Sequence, residues 1–358
     1  MPSPVRVVLL GNSFAERVQL PALRFAGGNE VVGIAGHDAE KAARTAASWG
    51  IARSSGDWRE MLELSPDLVI VATPVDLHAP MVRASLEAGA HVLCEKPFAL
   101  DAAEAEELAS QARQLGRLAL IDHQLRWNPN RRKLRQLVRE GFLGRLLHVR
   151  CDLVLDNPGF LDRPFSWWFQ AERGGGVLGA LASHMIDGIQ WMFGDVVAVR
   201  ARLSTFVPER LDASGTTRRV TADDHAELWL ELEGGVEVSL TTSVVTPGAS
   251  RFLVEACGTE GTLRLDLEDD LIGGAHGAPL EPIPLETPMA TAEELGLEAY
   301  GPFAALEPLF LADVIGAVMR GDGEVAHAAT FDDGVACMRV LDAARRSSRT
   351  GSAVRLTR

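Results

Sequence analysis

Two periods alternate along the first third of the chain. Val5–Leu10 is an unbroken apolar run, the pattern of a strand covered on both faces. Gly11, Asn12 and Ser13 interrupt it, and a helical pattern extends from there to about Ala26. A second apolar run, Val31–Ala35, precedes Asp38, which stands as the cap of a helix reaching Trp49. Leu68–Ala72 predicts a third strand, closed by Thr73 and Pro74, and His78–Ala88 predicts a helix stopped by Gly89. His91–Cys94 predicts a fourth strand. Asp101 and Glu104 have capping-box spacing for a helix to Leu115, which Gly116 stops, and Leu118–Ile121 predicts a fifth strand. Strand and helix in strict alternation give a parallel sheet with helices on both faces, an α/β class.

The pattern changes after that. Asn130–Glu140 predicts a basic helix, Arg145–Leu155 a strand, and Leu181–Phe193 another helix; between the last two lies a loop, Asn157–Arg173, rich in Pro, Gly and aromatics. Period-two alternation then predicts strands at Val196–Phe206, His225–Glu233, Val236–Ser243, Arg251–Cys257 and Thr262–Leu267, with Gly234-Gly235 as a hairpin turn. Gly273–Pro288 is expected to be an unstructured loop, and two helices, Phe303–Met319 and Asp332–Arg346, close the chain. The division expected is residues 1–122 as a parallel-sheet domain and 123–358 as an α+β domain with a large, mostly antiparallel open sheet.

Composition narrows the partners. The 358 residues are enough for two cores, and 47% hydrophobic with 23% charged residues is ordinary for a soluble protein. A formal net charge of −14 disfavours a nucleic-acid partner, which needs a basic face. No apolar run approaches the ~18 residues of a membrane-spanning helix, so no membrane partner is expected. The run Val5–Leu10 is too short for a signal peptide. Cys94, Cys151, Cys257 and Cys337 are scattered without metal-ligand spacing; lone thiols fit a reducing cytoplasm, and no metal is expected.

Chemistry concentrates where predicted strands end. Gly11 turns a buried strand into a helix, the place where a backbone approaches a pyrophosphate. Of the G-x-G-x-x-G/A fingerprint, Gly11-Asn12-Ser13-Phe14-Ala15-Glu16 keeps the first glycine. Ser13 brings a hydroxyl that can donate to phosphate, and Glu16 a carboxylate that must point away from it. After the second strand, the acid that holds an adenosine ribose in this fold is replaced by Gly36, followed by His37. Loss of that acid removes repulsion against a 2′-phosphate, which makes NADP at least as plausible as NAD. Ala72-Thr73-Pro74 forms a turn suited to lie against the nicotinamide ribose, with His78 near the next helix start. Cys94-Glu95-Lys96-Pro97 ends the fourth strand, where Lys96 points into the crevice at the sheet's carboxyl edge, within reach of a substrate hydroxyl.

Gly11, Ala72-Thr73-Pro74, His78 and Glu95-Lys96-Pro97 together resemble the Gfo/Idh/MocA family of NAD(P)-dependent oxidoreductases. The likeness continues through Arg126-Trp127-Asn128-Pro129, Trp167 with Gly174-Gly175-Gly176, Ser183-His184-Met185-Ile186-Asp187 and Gly258-Thr259-Glu260-Gly261. The resemblance implies a Rossmann domain followed by a substrate domain, assembled as a homodimer or homotetramer through the C-terminal sheet. It implies hydride transfer to or from a secondary alcohol carbon of a sugar- or cyclitol-like small molecule. Cofactor contacts are then expected at Gly11, Asn12, Ser13, Phe14, His37, Ala72, Thr73, Pro74, His78, Glu95 and Lys96, and substrate contacts at Arg126, Trp167, Trp168 and His184. Lys96 and His184 would flank the reacting carbon. The aspartate that members carry four residues before that histidine is Ala180 here. Asp187, three residues after His184 and on the same helix face, is the alternative orienting carboxylate. The substitutions at Ser13, Glu16, Gly36 and Ala180 also suit a non-catalytic sensor or scaffold of the same fold. A third alternative is a different proton route, such as imine reduction or dehalogenation.

Overall fold

The computed structural model describes residues 3–157, 159–266, 270–285 and 305–356. Packing divides them into two compact units. One comprises the described residues within 1–99, 103–127 and 289–335; the other comprises those within 100–102, 128–288 and 336–358. The units interleave along the chain, where a single boundary after residue 122 was expected.

The first unit is built on a seven-stranded sheet among the described residues. In chain order it contains β1 (Val5–Leu10), α1 (Leu20–Ala26), β2 (Asn29–Ala35), α2 (Ala39–Trp49), β3 (Arg53–Ser55), α3 (Arg59–Leu62), β4 (Leu68–Val71), α4 (His78–Glu87), β5 (His91–Cys94), α5 (Ala102–Leu115) and β6 (Ala119–Ile121). The spatial order from β6 is β6-β5-β4-β1-β2-β3, all parallel. The apolar run of β1 is central, and Val7 to Leu10 are fully buried. Chain direction across the sheet reverses between β1 and β4, the topological switch point beside which such sheets bind ligands. β3 escaped the sequence pattern because it is three polar residues on an edge.

The second unit holds α6 (Pro129–Arg139), β7 (Leu146–Val154), a π-helical turn at Leu178–Ala182 running into α7 (Ser183–Phe193), and β8 (Val196–Ser204). A small ribbon, β9 (Glu209–Leu211) with β10 (Thr217–Arg219), precedes β11 (His225–Leu232), β12 (Glu237–Ser243), β13 (Arg251–Gly258) and β14 (Gly261–Leu265). β15 (Leu271–Ala275) and β16 (Glu281–Pro282) follow. α8 (Glu307–Arg320) and β17 (Ala329–Thr330) return to the first unit, where β17 pairs antiparallel with β6. α9 (Phe331–Thr350) and β18 (Val354–Arg355) end the described chain. The large sheet runs β16-β15-β14-β13-β7-β12-β11-β8-β18, antiparallel except where β12 lies parallel to β7. Leu228, Leu230, Val238, Leu240 and Val254 face the core, and Trp229 stands 54% exposed on the other face.

One expectation is corrected here. Gly273–Pro288 is not an unstructured loop: β15 and β16 lie in its described part, and residues 286–288 lie outside the described residues. A Cβ at Gly273 would stand 2.7 Å from both Ile283 Cδ1 and Leu263 Cδ2. These glycines mark a strand crowded by its neighbours rather than a flexible connection. α8 begins at Glu307 rather than Phe303, and residues 303–304 lie outside the described residues. It packs against α1, with Phe310, Leu311, Val314 and Ile315 in one core with Leu20 and Leu23.

Candidate active site

The loops after β1, β2 and β4 meet at the carboxyl edge of the parallel sheet. Gly11 has φ +113°, and a Cβ there would stand 2.2 Å from the Ala72 carbonyl oxygen. Only glycine tolerates that conformation and that approach. Gly11 N donates to Ala35 O at 2.9 Å and Ala72 N donates to Leu10 O, so the three loops form one surface.

Asn12 is 8% exposed, and neither Oδ1 nor Nδ2 has a hydrogen-bond partner within the protein. An amide buried without partners is costly by about 1–3 kcal/mol, which a ligand at this place would relieve. A Cβ at Gly36 would stand 2.9 Å from Asn12 Cβ. The missing ribose acid and the presence of Asn12 are therefore one packing fact: Asn12 occupies the space beside position 36. Lys41, on the first turn of α2, donates from Nζ to Ser13 Oγ at 2.9 Å, and Arg17 Nε donates to Ser13 O at 3.2 Å. Phe14 and Glu16 are half-buried and His37 is exposed. Asp38 caps α2 by accepting from Lys41 N, and that bond holds its carboxyl below the ordinary range. A glycine cradle, an orphaned amide and a cation on the loop hydroxyl suit the pyrophosphate and adenosine ribose of a dinucleotide.

Lys96 follows β5, half-buried, with Pro97 after it across a cis bond. His78 is 1% exposed; its Nε2 lies 3.0 Å from Thr73 O and its Nδ1 3.1 Å from Pro97 O. Burial holds its ring below the ordinary histidine range. His78 staples the Ala72–Pro74 turn to the Lys96–Pro97 segment, so its side chain is already engaged with the protein. Glu95 is buried and its Oε2 accepts from Lys96 N at 3.3 Å.

In the second unit, α7 carries His184 and Asp187, 8% and 3% exposed. The turn leading into it is fixed from both sides: Leu178 N donates to Asp223 Oδ2 at 2.7 Å, and Ser183 Oγ donates to Gly179 O at 2.6 Å. Burial pushes the Asp223 carboxyl up to about 6. The three glycines before this turn have separate reasons. Gly174 is left-handed at φ +79°, a Cβ at Gly175 would stand 2.2 Å from Trp168 O, and one at Gly176 would stand 2.5 Å from Asp223 Oδ1. Ala180 lies within the π-helical turn itself.

Residues 5–123 match a family model described as an oxidoreductase family with an NAD-binding Rossmann fold, and residues 131–264 match the GFO/IDH/MocA C-terminal domain. The chain belongs to the Gfo/Idh/MocA family of oxidoreductases. An uncharacterized oxidoreductase of Synechocystis sp. is 33% identical over 287 residues, 79% of this chain and 77% of that one. A levoglucosan dehydrogenase of Pseudarthrobacter phenanthrenivorans is 32% identical over 252 residues, covering 66% and 64%. A levoglucosan dehydrogenase structure in complex with NADH and L-sorbose superposes with a TM-score of 0.87 at 25% identity, over 99% of each chain. An oxidoreductase domain protein from Kribbella flavida superposes with a TM-score of 0.88 at 28% identity, over 100% of each.

Within this Gfo/Idh/MocA chain, two expected substrate residues have structural occupations. Arg126 is 4% exposed, pairs with Asp333 at 3.2 Å and donates to His327 O and Ala328 O. A guanidinium so engaged ties β17 into the first unit. Trp168 packs edge-on against Phe160 and Phe169, each at 5.3 Å, and so anchors its loop. Arg210, which no sequence motif marks, stacks over Phe169 at 4.1 Å and donates to Phe160 O, Leu161 O and Arg163 O. Lys41 was also missed. Its signal was a cation one turn into the helix after the strand that should carry the ribose acid.

Proposed function

We propose that this chain transfers a hydride between a nicotinamide dinucleotide and a secondary alcohol carbon of a sugar- or cyclitol-like small molecule. The observation that carries the reading is the dinucleotide loop: Gly11 pressed on Ala72, the unpartnered Asn12 amide, and Lys41 on Ser13. The names of relatives support the substrate class, since levoglucosan, D-xylose and D-apiose dehydrogenases are among them. The bound nicotinamide supplies the hydride acceptor or donor. Lys96 binds the substrate hydroxyl and His184 moves its proton, with Asp187 fixing the histidine tautomer in place of a carboxylate at Ala180. Trp167 offers an apolar face to the sugar ring. NADP suits the loop at least as well as NAD, because Gly36 brings no charge and Lys41 brings a positive one.

The non-catalytic reading has one observation in its favour, Ala180. Titration with NADH and NADPH, followed by turnover assays across pyranoses and cyclitols, separates the two. Binding with turnover supports the dehydrogenase, and no binding of either dinucleotide supports the scaffold. No helix among the described residues is long and apolar enough to cross a membrane. Its free cysteines fit a reducing compartment, and we place it in the cytoplasm on that ground. The open sheet face carrying Trp229 is the surface proposed for assembly into a homodimer or homotetramer.

A further inference from the structure

Three carboxyl groups with no proton-transfer role in that reading stand together in the first unit. Glu95 follows β5, Asp122 follows β6 and Glu307 opens α8; they are 8%, 1% and 0% exposed. Gln19, also fully buried, donates from Nε2 to Glu95 Oε1 at 3.4 Å. Asp122 lies beside both glutamate side chains and so stands between Glu95 and Glu307, yet none of its oxygens or those of Glu307 receives a hydrogen bond from a described residue. Lys96 is the cation whose charge acts on all three.

Carboxylates have no hydrogen to donate. With all three ionised, both oxygens of Asp122 and both of Glu307 have no donor, and three negative charges face one ammonium. One proton on each glutamate turns both contacts into charge-assisted O–H···O⁻ bonds, among the stronger kind. Burial pushes Glu95 and Glu307 well above the ordinary carboxylate range. Burial raises Asp122 too, but a proton on each neighbouring glutamate and the charge of Lys96 would both favour its ionised form. The neighbouring Cys94 thiol, raised by burial and by Glu95 and Asp122, stays neutral.

We propose that Glu95, Asp122 and Glu307 hold two protons and one negative charge among them, and that this single buried anion is the counter-charge that positions Lys96. Glu95 completes the link, since its Oε2 also accepts from the Lys96 backbone N–H. The three are positioning residues, and their purpose rests on the reading of Lys96 as a residue of the reaction. Their protonation does not rest on it.

Infrared spectroscopy of the cofactor-free protein at pH 8 tests this, in the region where protonated carboxyl C=O groups absorb apart from carboxylates. At that pH Asp223 is ionised and contributes nothing there. Two carboxylic-acid signals are expected, one lost in Glu95→Gln and the other in Glu307→Gln. Lys96→Met removes the cation, so Asp122 should take a proton from solvent and a third signal should appear; Lys96→Arg should keep two. A wild-type spectrum without acid signals at pH 8 overturns the proposal. So does a Lys96→Met spectrum identical to wild type, a comparison that stands even if the glutamine variants fail to fold. Neither measurement needs substrate or dinucleotide. Failure of dinucleotide binding would sink the reaction reading and leave the acid signals in place.

Discussion

Lys41→Ala should separate the two dinucleotides. The Lys41 ammonium sits 2.9 Å from Ser13 Oγ, on the helix that follows the position where a ribose acid would stand. A 2′-phosphate held there gains a hydrogen bond to a charged group, worth about 1.5–3 kcal/mol. Lys41 is half-buried, so solvent screens it and the lower end applies. Since about 1.4 kcal/mol is tenfold in affinity, NADPH should bind about tenfold more weakly to the variant, and NADH about equally. Nucleotide fluorescence titration at two salt concentrations measures both, and the NADPH loss should shrink at the higher salt. Equal losses for NADH and NADPH would refute the assignment and place Lys41 on the pyrophosphate instead. The packing of Asn12 on position 36 makes a companion test. Gly36→Asp alone should weaken both dinucleotides, because its Cβ would fall 2.9 Å from Asn12 Cβ. Only with Asn12→Gly beside it should the new acid shift preference to NADH.

Other consequences can be measured separately. Lys96→Ala should lower turnover by about 10²–10⁴-fold with dinucleotide affinity retained, and unchanged turnover would remove Lys96 from the reaction. Gly175→Ala drives a Cβ to within 2.2 Å of Trp168 O, so denaturant unfolding should show a loss of about 1–3 kcal/mol. Asp223 titrates near 6 when folded and near 3.8 ordinarily, so its contribution is full below 3.8 and falls as pH rises through 6. That fall amounts to about 3 kcal/mol, and Asp223→Asn should remove it, read as the wild-type minus variant stability between pH 4 and 7.

The fold was legible where burial writes a period into the chain. β1, β4 and β5 are covered on both faces and read as apolar runs, while β11 and β12 are covered on one and alternate. What escaped has no such signature. β3 is three polar residues at an edge, and β15 carries Gly273, whose missing side chain makes room for Leu263 and Ile283, and Gly274, whose missing side chain makes room for the Pro279 carbonyl. The return of α8 to α1 is a tertiary event, and an apolar helical face does not say which other face it meets.

The site divides in the same way. Gly11 and Lys96 could be placed at strand ends from the sequence alone, because a strand end is a local feature. Lys41, Arg210, Asp223 and Glu307 act through contacts with residues far away in sequence, and each looks like surface charge until the chain is folded. That difference bears on whether the substitutions in the phosphate loop are decay. Taken singly, Ser13 in place of a glycine and Gly36 in place of an acid are losses. In the structure Ser13 receives Lys41 and Gly36 receives Asn12, so each departure has a partner that fits it. An amide held buried and unpartnered beside a glycine cradle is the kind of group a bound dinucleotide would satisfy, and it favours a loop that still binds one over an abandoned loop.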